Sequence, residues 1–186
     1  MASTGEVACF GKDLNEALLI SLYSSHNNFK HLPMTPKSSI MISADHLSCP
    51  KETAYVCDSL HDMGYRIIVD DDLTASILLS EGIEASKITV FPVETTLFDT
   101  LNNLSATQKI FEEFGIEIMI SFCRVRPRLN TDCKYLMRRT NIDLGNGFVN
   151  DSKNAVVFVD ALKAYVSGGR TKKEAVKSAK QWLSLS

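Results

Sequence analysis

Three arginines that follow an apolar stretch could bind an anion. Arg124, Arg126 and Arg128 alternate with other residues directly after the apolar run at 116–122, which is typical of an inner parallel strand covered on both faces. Open parallel sheets bind ligands at the carboxyl ends of their strands, and guanidinium groups bind carboxylates and phosphates through paired hydrogen bonds. The pattern therefore indicates an anion site after this strand, with a solvated basic loop as the alternative.

A run of three aspartates is the second group that could do chemistry. Asp70, Asp71 and Asp72 follow a predicted strand at 65–69, and hard cations such as Mg²⁺ take carboxylate oxygens as ligands. Consecutive residues at a strand end point to alternate faces, so the three carboxylates cannot easily converge on one ion. A metal site is therefore the less favoured interpretation of this run.

Two further features have simple interpretations. Arg138 and Arg139 are adjacent on a predicted helix and diverge by about 100°, so at most one faces the cleft, and the other is expected to pair with a carboxylate such as Asp143. Cys123 lies near the arginines, but no histidine close to it in sequence could act as a base. A buried core cysteine is the favoured interpretation of Cys123.

The elements that must position these residues alternate between strands and helices. Apolar runs predict strands at 39–43, 65–69, 88–91, 116–122 and 147–149, and helical spacing predicts helices at 14–23, 50–63, 73–80, 135–140 and 152–166. Residues 97–114 are predicted to form either one continuous helix or two helices that are separated near 105–107. Because parallel crossovers must run back along the sheet, this order predicts an α/β fold, a Rossmann-like three-layer sandwich with a parallel sheet of about five strands.

Composition limits the classes of function. The chain has 186 residues, of which 45% are hydrophobic, and a net charge of −2, so a nucleic acid or an anionic membrane is not expected as the main partner. There is no apolar run near the ~20 residues of a membrane span and no signal-peptide pattern, which favours a cytoplasmic chain with reduced thiols. The five cysteines include no CxxC pair, and no GxGxxG follows a strand, so zinc and dinucleotide sites are disfavoured.

Three separated blocks resemble one enzyme family. MASTGEVACFGKDLNEALL resembles the end of the second ATP-grasp unit in the large subunit of carbamoyl-phosphate synthetase. GYRIIVDDDLTASILLSEGI resembles the second strand, phosphate loop and helix of that subunit's C-terminal allosteric domain, and YLMRRTNID with GFVN resembles its arginine-pair helix and last strand. The resemblance implies a methylglyoxal-synthase-like regulatory domain at 38–167, preceded by an ATP-grasp tail and linker at 1–37. The apolar residues and lysines that follow predict a C-terminal amphipathic helix at 168–186.

The resemblance implies a regulatory function. Such a domain binds a nucleotide, phosphoribosyl pyrophosphate or an amino-acid derivative such as ornithine or acetylglutamate, and it acts on the ATP-grasp domains of the same enzyme. The parent enzyme uses ATP and Mg²⁺ to make carbamoyl phosphate for pyrimidine or arginine synthesis, whereas this piece alone is expected to need no cofactor and to catalyse nothing. The alternatives are a methylglyoxal-synthase-like lyase acting on dihydroxyacetone phosphate, and a ligand-free interaction module that works through the C-terminal helix.

The resemblance also implies a set of effector-binding positions at the carboxyl edge of the sheet. These positions are Ser43, Lys51, Asp71, Thr74, Phe91, Cys123, Arg124 and Arg126. Asp70–Asp72 stand where phosphate-binding relatives have a threonine and glycine loop, and like charges in a partly desolvated cleft repel a phosphate strongly. The arginines are the expected counter-charge, either by pairing with the aspartates or by holding an anion at a shifted position.

Overall fold

The computed structural model describes residues 9–24, 38–91, 104–123 and 133–167. The strands in these ranges are β1 Ser39–Ser43, β2 Arg66–Val69, β3 Ile88–Val90, β4 Ile116–Ser121 and β5 Gly147–Asn150. The helices are α1 Leu14–Ser24, α2 Pro50–Asp62, α3 Asp72–Ser80, α4 Leu104–Glu113, α5 Cys133–Asp143 and α6 Ser152–Ser167, with a 3₁₀ turn at Ala85–Lys87.

The five strands form one parallel sheet in the order β3-β2-β1-β4-β5. From β1 the chain first moves outwards to β2 and β3, and it then crosses to the other side of β1 to form β4 and β5. The strand order therefore reverses between β1 and β4, and ligands of open α/β sheets bind at the carboxyl ends of the strands beside such a point. Ser43 and Ser121 are neighbours in register at those two ends.

Helices cover both faces of the sheet, which confirms the predicted three-layer sandwich. Ile40 and Ile42 of β1 pack in a core that includes Leu60 of α2 and Leu162 of α6. Met41, between them, points to the opposite face, into a core formed with residues of α4 and α5. Every residue of β1 is buried, as expected for a parallel strand with helices above and below it.

Helix ends in the described ranges follow the sequence signals. α2 begins at Pro50 and is closed by Gly64, whose φ of +89° suits a residue without a Cβ. α4 is continuous through 105–107, so no break occurs within the described part of 97–114. Phe111 of this helix is fully buried, and the residues predicted to form an earlier helical segment lie outside the described ranges.

Helix α1 packs against the main sheet domain. Leu19 and Ile20 are buried in the same core as Phe158 and Val159 of α6. α1 therefore shares apolar surface with the domain that it precedes in the chain. In the part of the chain that the structure describes, no helix has both the length and the apolar content needed to cross a bilayer.

Candidate functional site

A buried carboxylate joins four elements at the carboxyl edge of the sheet. Asp70 follows β2, and its side chain is wholly buried. It accepts hydrogen bonds from Ser43 Oγ at the end of β1 (2.5 Å), from Thr74 Oγ1 in α3 (2.6 Å) and from Lys134 Nζ in α5 (3.0 Å). The four residues form what we call the edge cluster, which lies beside the point where the strand order reverses.

The Thr74 hydroxyl uses its full hydrogen-bonding capacity. It donates to Asp70 and accepts from the backbone N–H of Ala44 (3.0 Å) and from Lys134 Nζ (3.2 Å). A hydroxyl has one donor and two acceptor positions, so all three are occupied. Thr74 therefore fixes the start of α3 against the end of β1.

The three aspartates have three different environments. Asp71 caps α3 by accepting a hydrogen bond from Thr74 N (2.8 Å), and it also pairs with Lys134 Nζ at 2.8 Å. Asp72 is exposed in the first turn of α3. The carboxylates of Asp70 and Asp71 thus share one ammonium group, and Asp72 points to solvent. Within the described residues no group of three or more His, Cys, Asp or Glu side chains has metal-binding geometry.

Lys134 supplies the counter-charge, which the sequence prediction had given to the arginines. Its side chain is only 9% exposed, although it carries a full charge. Burial acts to lower the pKa of Lys134, but the charge of Asp70 and the hydrogen bonds to Asp71 and Asp70 outweigh it, so the pKa lies above its ordinary value. Among the described residues, Lys134 in α5 is therefore the counter-ion of Asp70 and Asp71.

The pKa values of Asp70 and Asp71 shift in opposite directions, although Lys134 acts to lower both. Burial raises the pKa of Asp70 above its ordinary range, although the charge of Lys134 works against this shift. Burial also acts to raise the pKa of Asp71, but hydrogen bonds from Lys134 and from Thr74 N outweigh it and the pKa is lowered. The more deeply buried carboxylate is thus the more easily protonated one.

Two more side chains from β4 and its end lie next to the edge cluster. Cys123 is buried, and its Sγ lies 3.3 Å from Ser43 Oγ. Since Ser43 directs its proton to Asp70, the thiol is the donor in this contact. Burial raises the pKa of Cys123, which confirms the interpretation of Cys123 as a core cysteine. The Oγ of Ser121 is fully buried and in register with Ser43, and within the described ranges it has no hydrogen-bond partner.

The remaining predicted site residues are not part of the described cluster. Phe91 is buried, with its ring centroid 5.7 Å from that of Phe111, in the apolar core between the sheet and α4. Lys51 is exposed near the start of α2. Arg124 and Arg126 lie outside the described residues, as does Arg128. The structure therefore brings together Ser43, Asp71, Thr74 and Cys123, and it adds Asp70 and Lys134.

Lys134 could have been found from its spacing. It lies three positions before Met137 and seven before Asn141, and all three side chains are buried. A lysine on the buried stripe of a helix needs a charged partner. The predicted pairing of Arg139 with Asp143 is confirmed at 2.8 Å, so among the described residues the helix carries this exposed ion pair and the two ion pairs of buried Lys134.

Comparisons with known proteins give the family. No family model matches the chain. The arginine-specific large chain of mitochondrial carbamoyl phosphate synthase from Schizosaccharomyces pombe is 32% identical over 183 residues, which is 98% of this chain and 14% of that protein. The chain belongs to the carbamoyl phosphate synthase large-chain family. It is 27% identical over 164 residues to mitochondrial carbamoyl-phosphate synthase [ammonia] from Homo sapiens, and 31% identical over 166 residues to the multifunctional protein pyrABCN from Emericella nidulans.

The chain spans a small part of each carbamoyl phosphate synthase relative. It covers 14%, 10% and 7% of the length of the three proteins, while each match takes in 87% or more of this chain. The chain therefore corresponds to one segment of a carbamoyl phosphate synthase large chain. Because two of these relatives are mitochondrial by name, the predicted cytoplasmic location stays a prediction.

Proposed function

We propose that this chain is an effector-binding regulatory module of a carbamoyl phosphate synthase large chain, with its ligand site at the edge cluster. The supporting observation is the burial of Asp70 and Lys134 beside the point where the strand order reverses. Burying charged groups is costly, and apolar side chains of similar volume often give an equal or higher stability. Asp70 and Lys134 lie at the edge where α/β sheets bind ligands. Their position therefore favours a role in ligand binding over a role in packing.

The module would act on the ATP-grasp domains of the same enzyme. Those domains would bind ATP and Mg²⁺ and make carbamoyl phosphate for arginine or pyrimidine synthesis, and the module itself would need no cofactor. An effector regulates such an enzyme only if its affinity differs between two conformations of the whole protein. The proposal therefore requires a physical connection between the edge cluster and the preceding part of the chain.

Helix α6 offers that connection. The backbone N–H of Asp151, which precedes α6, donates to Ser121 O at the end of β4 (3.1 Å). From this edge α6 runs back across the sheet, and its Phe158 and Val159 share a core with Leu19 and Ile20 of α1. A rearrangement of the strand ends would thus reach α1 through packed side chains, in the direction of the expected ATP-grasp unit.

A titration of candidate effectors tests the proposal. UMP, UTP, phosphoribosyl pyrophosphate, ornithine and acetylglutamate are each added to the chain, and binding heat and Tm are measured, since a ligand that binds only the folded state raises the Tm. We expect one of them to bind, and Thr74→Val to abolish its binding. Thr107→Val is the matched control, because the Thr107 hydroxyl is buried and has no partner in the part of the chain that the structure describes. The absence of heat and of a Tm shift with every compound would refute the proposal.

The ion pairs of Lys134 favour a second candidate, a module whose ligand site is closed by its own side chains and which acts only by contact with its enzyme. In that case the effector titration gives no binding, and deletion of residues 168–186 weakens assembly with the remaining large chain. The lyase alternative is tested by adding dihydroxyacetone phosphate to the chain. Turnover would contradict the expectation that the module alone is not an enzyme.

A further inference from the structure

We infer that the oxygen atoms of Asp70, Asp71 and Thr74 form a binding site for a primary ammonium group, and that the side chain of Lys134 occupies this site as a tethered ligand. The inference rests on the proposed function, because it names the ligand class of the same edge. The effector would be an amine that displaces Lys134.

The number and kind of acceptors match an ammonium group. Lys134 Nζ lies 2.8 Å from Asp71 Oδ2, 3.0 Å from Asp70 Oδ2 and 3.2 Å from Thr74 Oγ1. A primary ammonium has three N–H donors, and the three acceptors described here come from three different residues. A phosphate at this position would face two carboxylates and would be repelled by both.

The position of Lys134 allows exchange with a free amine. Its ammonium is carried by a flexible stem from the start of α5, whereas Asp70 and Thr74 are held by the ends of β1 and β2 and by the start of α3. The Asp71 side chain is 30% exposed, while that of Asp70 is wholly buried. An incoming amine can thus contact Asp71 from solvent first and then replace Lys134 at Asp70.

Ser121 provides an independent indication of a ligand. Its hydroxyl is fully buried and has no hydrogen-bond partner among the described residues, although buried polar groups are normally hydrogen-bonded. Ser121 and Ser43 are register neighbours on adjacent parallel strands, so their side chains lie on the same face of the sheet. The Asp70 side chain accepts a hydrogen bond from Ser43. The Ser121 hydroxyl therefore lies on the same face of the sheet as Ser43 of the edge cluster, and we assign to it a hydrogen bond with a polar substituent of the bound molecule.

These observations define the ligand class. It is a small molecule with a primary ammonium group and a second hydrogen-bonding group close to it, which fits an amino-acid derivative and does not fit a nucleotide phosphate. Binding would release Lys134 from the aspartates and free the first turn of α5 to move. Ligand occupancy would in this way be coupled to the conformation of α5.

Removal of the Lys134 side chain tests the inference without knowledge of the effector. Lys134→Ala leaves the acceptors without their ammonium, and propylammonium chloride is then added while the Tm is measured. We expect a saturable rise of about 3–6 °C at ten times Kd. Tetramethylammonium, which has the same charge and no N–H donor, and sodium phosphate should give no saturable rise. Lys134→Met, which fills the space without a charge, should not respond to propylammonium.

The outcomes separate this inference from the proposed function. Equal responses of Lys134→Ala and Lys134→Met, or equal responses to propylammonium and tetramethylammonium, would overturn the ammonium site. If Lys134→Ala does not fold in buffer, the same comparisons are made on its refolding yield from urea. A phosphorylated effector that binds in the effector titration, combined with no amine response, would keep the regulatory module and reject the ligand class. An amine response without any effector binding would keep the ammonium site and reject the regulatory module.

Discussion

The replacement of Lys134 by methionine should destabilise the fold strongly, because it leaves Asp70 buried without a counter-ion. Methionine has a similar length and no charge, so the change removes the ion pairs at 3.0 and 2.8 Å and creates little empty space. Removal of one partner of a buried ion pair costs about 3–5 kcal/mol. At 2–4 °C per kcal/mol for a chain of this size, the expected fall in Tm is about 6–20 °C.

The loss should depend on pH in a defined direction. Without Lys134, the pKa of Asp70 rises further, because burial remains and the opposing charge is gone. A carboxyl group whose pKa is raised by folding stabilises the folded state at pH values below its pKa in the unfolded chain, about 3.9. This contribution is lost as the pH rises through the pKa of the group in the folded state. Asp71 loses the hydrogen bond from Lys134 that lowers its pKa. The stability that the ionised Asp71 contributes above the pKa of an unfolded aspartate therefore also decreases. The unfolding free energy of the variant should therefore approach that of the parent protein at acidic pH. The difference between the two should be largest above neutral pH.

Urea unfolding of both proteins between about pH 5 and pH 8 measures this difference. Lys87→Met is the matched control, because Lys87 pairs with Asp58 at 2.6 Å on the surface, where ion pairs contribute little. The double variant Lys134→Met/Asp70→Asn should be more stable than Lys134→Met alone, since the unpaired charge is gone. A loss below about 1 kcal/mol near neutrality, or a difference that widens in acid, would refute the view of Asp70 as a charged group held by Lys134.

Three further predictions concern other parts of the fold. Thr74→Val should cost about 2 kcal/mol or more in urea unfolding, because it removes hydrogen bonds with Asp70, Ala44 N and Lys134, whereas Thr140→Val, which removes a buried hydroxyl with no partner among the described residues, should change the stability little. Iodoacetamide at mildly alkaline pH should label exposed Cys49 and spare buried Cys57, whose pKa is raised to about 12 by burial, and peptide mass mapping would detect the opposite result. Gly64→Ala should lower the unfolding free energy by about 1–2 kcal/mol through backbone strain alone, because φ is +89° and the added Cβ would meet no described atom within 4 Å beyond the adjoining residues; an unchanged midpoint would contradict this backbone argument.

The strands could be predicted from the sequence because a strand that is buried on both faces is apolar along most of its length. β1 and β4 appear as nearly unbroken apolar runs, and their order with the intervening helices predicts the parallel sheet. For residues 97–114 the sequence left one helix or two open, since local propensity does not contain the contribution of tertiary packing. The fold class could be predicted from patterns that are repeated along the chain, and the extent of this helix could not.

The edge cluster was predicted less completely because its contacts join distant parts of the chain. Ser43, Asp71 and Thr74 follow strand ends, so the topology alone places them together. Lys134 was missed because the arginines of the preceding loop offered a nearer source of positive charge. The position of Phe91 directly after β3 predicted that it lies at the carboxyl edge of the sheet. Its side chain packs in the apolar core against Phe111 and not in the edge cluster.

The central position of β1 has a consequence for how the chain can be made. β1 pairs with β2 on one side and with β4 on the other, and β4 is synthesised long after β1 has left the ribosome. Until then the N–H and C=O groups along one edge of β1, a strand that is wholly buried in the finished fold, are unpaired and form a template for aggregation. A version of this protein that ends before Ser121 should therefore accumulate as insoluble material. During synthesis of the full chain, chaperones should stay bound to it until β4 has emerged from the ribosome.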